Sequence, residues 1–103
     1  MAMKGRDRAE LRAEAHHLSA LVHVGHQGLT PTVIQALDDA LRTRELVKVQ
    51  LGRMAEMKAK DAAAELASQT DSTVIQVIGK TVTLYRENPD LERKRGQEPP
   101  WRS

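Results

Sequence analysis

The sequence predicts a compact α/β domain of order α-β-α-β-α-β-β, with three helices and a mixed four-stranded sheet. Three observations predict it. Apolar residues at three- and four-residue steps alternate along the chain with short β-branched runs. Gly25-His26-Gln27-Gly28, followed at once by Thr30-Pro31, joins a strand to a helix. Gly79-Lys80 separates the last two β-type runs by two residues, a hairpin spacing.

The first helix is expected over residues 6–18, where Leu11, Ala15 and Leu18 share a face among Arg8, Glu10, Arg12 and Glu14. Ala20-Leu21-Val22-His23-Val24 is a short apolar run that Gly25 stops, so a strand is expected there. Thr30 as N-cap and Pro31 at the first helical position start the second helix, which runs to Arg44. Val33, Ile34, Leu37, Ala40 and Leu41 form its inner stripe, and Asp38, Asp39 and Arg42 are expected to face solvent. Leu46 to Leu51 alternates as a second strand, with Val47, Val49 and Leu51 on one face, Lys48 and Gln50 on the other, and Gly52 as its stop.

A third helix is expected over residues 56–69, on the small stripe of Ala59, Ala62, Ala63, Leu66 and Ala67. Runs 72–78 and 81–86 make the final hairpin, with glycine at the first central turn position. Strand–helix–strand units favour right-handed parallel crossovers, and the hairpin adds an antiparallel strand. The domain is expected to span 6–88. A disordered N-terminus is expected at 1–5, and a disordered basic, proline-containing tail at 89–103.

A chain of 103 residues is one domain. Its net charge of +2 does not mark a nucleic-acid binder, so the placement of charge matters more than the total. No cysteine is present, which removes disulfides and thiolate metal sites. The aromatics are one Tyr and one Trp, which limits base stacking, so backbone contacts are expected to carry most of any RNA affinity. No secretory leader is read at the N-terminus and no run reaches membrane-span length, so a cytoplasmic protein is expected.

The Gly25-His26-Gln27-Gly28 loop carries the chemistry. Glycines allow positive φ and a close backbone approach, and the following helix aims its free N–H groups at the same spot. That combination suits phosphate, although the same two glycines also suit a plain tight turn. Nucleotide-site readings fail. Position 23 is His where a dinucleotide loop needs Gly, and Val74 stands where a P-loop ending at Gly79-Lys80-Thr81 needs its first glycine. His16, His17, His23 and His26 lack the converging carboxylate that a metal site commonly adds, and no nucleophile–base–acid set is readable. Neither a metal, a cofactor nor an enzyme activity is expected. Lys48, Arg53, Lys80 and Arg86 are the basic residues inside the domain that invite attention, and Arg93-Lys94-Arg95 could add general attraction to phosphates.

Leu21 to Thr30, Leu46-Val47-Lys48-Val49 and Val74 to Arg86, taken together, resemble the CRM domain (chloroplast RNA splicing and ribosome maturation), in its stand-alone bacterial YhbY-like type. The resemblance covers about residues 8–87, on the paired motifs G-x-x-G-L-T and V-I-G-K-T-x-x-L-Y-R. It implies the element order given above, a fold similar to the C-terminal domain of a bacterial translation initiation factor, and a loop like that of KH domains, which clamps nucleic-acid backbone. It further implies a non-catalytic RNA-binding protein with a part in assembly of the large (50S) ribosomal subunit. The expected partners are large-subunit ribosomal RNA, its precursor, or pre-50S particles, with no membrane and a monomeric chain. By matching position, Gly25, His26, Gln27 and Gly28 are expected RNA contacts, with Thr30, Lys48, Lys80 and Arg86 as further candidates. The alternative is a protein-interaction module that docks on a ribosomal protein and touches RNA incidentally.

Overall fold

The computed structural model describes residues 5–87. Both expected end segments, 1–5 and 89–103, lie wholly or almost wholly outside them. The elements are α1 (Gly5–Ala15), β1 (Val22–Val24), α2 (Pro31–Arg44), β2 (Leu46–Leu51), α3 (Ala59–Thr70), β3 (Thr73–Ile78) and β4 (Thr81–Tyr85). The predicted order and the mixed four-stranded sheet are both found. Spatial strand order is β1-β2-β4-β3. β1 and β2 are parallel, and β4 runs antiparallel to both β2 and β3. The closing strand of the hairpin therefore inserts between β2 and β3, a placement that local pattern does not encode.

α2 and α3 cover one face of the sheet. Leu37 and Leu41 of α2 and Ala62, Ala63 and Leu66 of α3 pack on Val22, Val24, Val47, Val49, Val82 and Leu84. The alanines let α3 lie close, because a methyl leaves little between the helix and the strands. α1 crosses the other face, where Leu11 and Ala15 meet Leu46, Ile75 and Tyr85, with Leu18 at the margin. Ile75 reaches that second cluster through a β-bulge: Val74 opposes Leu84 and Gln76 opposes Thr83, so Ile75 is the extra residue.

Several element ends differ from expectation. α1 stops at Ala15, and the next three amides bond back only three residues (His16 to Ala13, His17 to Glu14, Leu18 to Ala15). This tighter winding still brings Leu18 to the cluster. β1 begins at Val22 instead of Ala20, although the Leu21 amide donates to the Lys48 carbonyl. α3 begins at Ala59 instead of Glu56. The Ala55 amide closes a turn onto the Gly52 carbonyl, which sinks Ala55 and Met57 into the core as a loop. β3 starts one residue late, and Arg86 falls just past β4.

Asp38 does not face solvent as expected. Arg86 Nη1 donates to its carboxylate at 2.7 Å, and Arg86 Nη2 donates to its backbone carbonyl at 3.1 Å. Position 38 lies on the flank of α2 that meets the far end of β4, which helical periodicity alone could not show.

Candidate nucleic-acid interface

The loop after β1 is a turn closed by the Gly28 amide donating to the Gly25 carbonyl at 3.0 Å. His26 and Gln27 occupy its two corners and are exposed. Gly28 has φ +77, which a side chain with a Cβ would resist. Its carbonyl accepts from the Thr30 amide, so the chain turns again directly into α2. Thr30 is extended, and its Oγ1 accepts from the Val33 amide at 3.2 Å, the predicted N-cap. The amides of His26, Gln27 and Leu29 make no hydrogen bond among the described residues. Gly25 differs from Gly28: its φ is not positive, and a Cβ built there would meet nothing within 4 Å.

Two hydrogen bonds knit three segments around this loop. The Gly52 amide donates to the Val24 carbonyl at 2.8 Å, and the Leu51 amide donates to the Lys80 carbonyl at 2.8 Å. They fix the end of β1, the turn after β2 and the hairpin tip side by side. Gly79 has φ +57 while Lys80 does not take positive φ, as a type II′ hairpin requires. The result is an open depression of about 610 Å³ lined by His23, Gly25, Gln50, Arg53 and Lys80, among others. It carries cationic and neutral polar groups and no carboxylate.

The candidate residues thus separate. Gly25, His26, Gln27 and Gly28 form one turn, Lys80 stands beside it, and Thr30 braces it from the start of α2. Lys48 is not in this group. It lies on the outer face of β2, in a second depression with His16, Gln76, Ile78, Thr81 and Thr83. Arg86 is at the opposite end of the sheet, held by Asp38 and by the Thr70 carbonyl at 2.8 Å. It has a structural role there, because this guanidinium ties the end of β4 to the middle of α2 and to the last turn of α3. His23 and Gln50 are additions, and Arg53, already noted as a basic residue inside the domain, joins them. The alternation of β2 already put Gln50 outward with Lys48, but nothing local showed that β1 and the hairpin tip would flank it. Among the described residues no group of three or more metal-ligating side chains converges, and no helix is long and apolar enough to cross a membrane.

The CRS1 / YhbY (CRM) domain family matches residues 3–86. A Bacillus subtilis protein, YqeI, named a probable RNA-binding protein, is 34% identical over 88 residues, covering 85% of this chain and 92% of its own. A Methanocaldococcus jannaschii protein, MJ0652, also named a probable RNA-binding protein, is 32% identical over 99 residues, covering 94% of this chain and 73% of its own. Among solved structures, a Staphylococcus aureus protein, SAV1595, suggested to bind RNA, superposes with a TM-score of 0.73 at 30% identity, covering 88% of this chain and 95% of that one.

Proposed function

The chain belongs to the CRS1 / YhbY (CRM) domain family, and we propose that it binds RNA through the sugar–phosphate backbone, gripped at the Gly25–Gly28 turn. The carrying observation is Gly25. Neither its φ nor any neighbouring atom demands a glycine. The missing side chain instead leaves bare backbone facing a depression that Arg53 and Lys80 make cationic. A phosphate seated there meets the free amides of the turn, the N-terminal end of α2 and two cations. The helix dipole and the amides act at short range, while the cations release counterions and make binding steeply salt-dependent.

The relatives' names support RNA as the ligand class. The family resemblance favours the precursor of the large ribosomal subunit as the RNA. In this reading the protein acts in the cytoplasm as a non-catalytic assembly factor. The decisive experiment titrates large-subunit ribosomal RNA fragments by fluorescence anisotropy with wild type, Gly25→Val and a His26→Asp/Gln27→Asp double variant. Circular dichroism verifies the fold of each. Loss of binding in folded variants supports the clamp. Undiminished binding by the double variant removes it and turns attention to docking on a protein.

A further inference from the structure

α1 covers only part of its sheet face. Cross-strand register divides that face into rows. Leu46 and Tyr85 form the row under α1. The next row is Lys48, Thr83 and Gln76, and the one beyond it is His23, Gln50, Thr81 and Ile78. These two rows lie about 7 Å apart along the strands, and the four strands span about 14 Å. Apart from Thr83, whose side chain is buried, the rows are at least partly open, and Ile78 is 57% exposed.

The chemistry of these rows is one-sided. Neither the depression around Lys48, which His16 borders, nor the one around Gly25 includes a carboxylate. Lys48, Lys80 and Arg53 make no ion pair among the described residues, whereas Asp38 holds two arginines elsewhere. Gln50 belongs to the loop-side depression and lies directly opposite Thr81 of the second, so the two surfaces are continuous. Lys, Gln, Thr and His are side chains that contact phosphate and sugar hydroxyls. The surface offers no Phe, Tyr or Trp ring on which a base could stack; its rings are the small imidazoles of His16 and His23. Tyr85, the one aromatic among the described residues, is 4% exposed and lies beneath α1. Four-stranded sheets that bind single-stranded RNA commonly do so through exposed aromatics.

We propose that this open half-face is a second RNA-backbone contact surface, continuous with the Gly25–Gly28 turn, and that it receives a base-paired helix and not a run of unstacked bases. The proposal rests on RNA being the ligand, as inferred above, but not on the turn being the stronger contact. A helix docked here lays one strand's phosphates on the turn, Arg53 and Lys80, and further backbone on Lys48, Gln76 and His16. The two Lys-bearing contact points then act together, so losing either weakens the whole footprint.

The test compares a fully paired hairpin RNA with an oligouridylate of equal length. Wild type is measured beside a face variant, Lys48→Glu/Gln76→Glu, and the loop variant His26→Asp/Gln27→Asp. Thermal unfolding checks each fold, and the neutral Lys48→Gln keeps the question open if the charged face variant does not fold. The expected result is a loss of about tenfold or more in hairpin affinity for the folded face variant, and a salt slope lowered by about one for Lys48→Gln. Hairpin should bind more tightly than oligouridylate. If the face variant and Lys48→Gln match wild type while the loop variant fails, the second surface is overturned and the turn stands. If the face variant fails and the loop variant binds normally, the second surface stands and the clamp at the turn falls. Equal or tighter binding of oligouridylate overturns the base-paired ligand.

Discussion

Arg86 Nη1 lies 2.7 Å from Asp38 Oδ1, joining residues 48 positions apart at the end of the sheet remote from the Gly25–Gly28 turn. The same guanidinium donates to the carbonyls of Asp38 and Thr70, so one side chain ties the end of β4 to α2 and to the last turn of α3. The side chains are 22% and 26% exposed, which leaves the pair only partly screened by water. Charge-assisted hydrogen bonds in such a setting contribute about 2 kcal/mol. Arg86→Gln is expected to lower unfolding free energy by about that amount in urea titration. RNA affinity of the folded protein is expected to stay unchanged, and a selective loss of RNA binding would return Arg86 to the interface.

The pair also sets an acid dependence. The hydrogen bond from Arg86 lowers the Asp38 pKa below its ordinary value of 3.8, helped by the charges of Arg86 and Arg42 and opposed by partial burial. A carboxylate with a depressed folded pKa contributes stability that is complete above its unfolded pKa and is lost as pH falls through the folded one. The stability difference between wild type and Asp38→Asn should therefore be constant above about pH 5 and shrink below it. Denaturant titrations across that range check the window, and a gap that widens on acidification contradicts it.

The two glycines of the loop should respond differently to alanine. Gly28, at φ +77, should cost about 1 kcal/mol on substitution, since a Cβ strains that backbone region. Gly25 has room for a methyl and an ordinary φ, so Gly25→Ala should change stability by less than about 0.5 kcal/mol. Thermal melts of both variants test the contrast. Equal destabilisation would mean that Gly25 is needed by the fold, which would weaken the case for a ligand there.

Asp71 closes α3 in the left-handed region, at φ 53 and ψ 48, with its amide donating to the Ala67 carbonyl. Its side chain is exposed. Glycine takes this conformation without the Cβ penalty but loses more entropy on folding. Asp71→Gly is expected to raise stability by about 0.5 kcal/mol, read as a higher urea midpoint at unchanged slope. A lower midpoint would show that the aspartate itself stabilises the cap.

Local pattern determined which residues form helix and strand, because side-chain period and cap chemistry act over a few residues. The Thr30-Pro31 helix start, the alternation of Val47, Lys48, Val49, Gln50 and Leu51, and the Gly79-Lys80 turn are all found as the sequence implies. The Gly25–Gly28 turn was legible for the same reason. Tertiary structure decided what lies beside it. Insertion of β4 between β2 and β3 puts Lys80 next to Leu51 and sends Arg86 to the far end, where Asp38 holds it. Glu45 shows the same limit at one residue: it alone links α2 to β2, buried and at φ 62, a conformation its type disfavours and only the packed helix and sheet impose. Strand order and long-range ion pairs depend on which surfaces bury best once all elements are present, and no single segment of the chain carries that information.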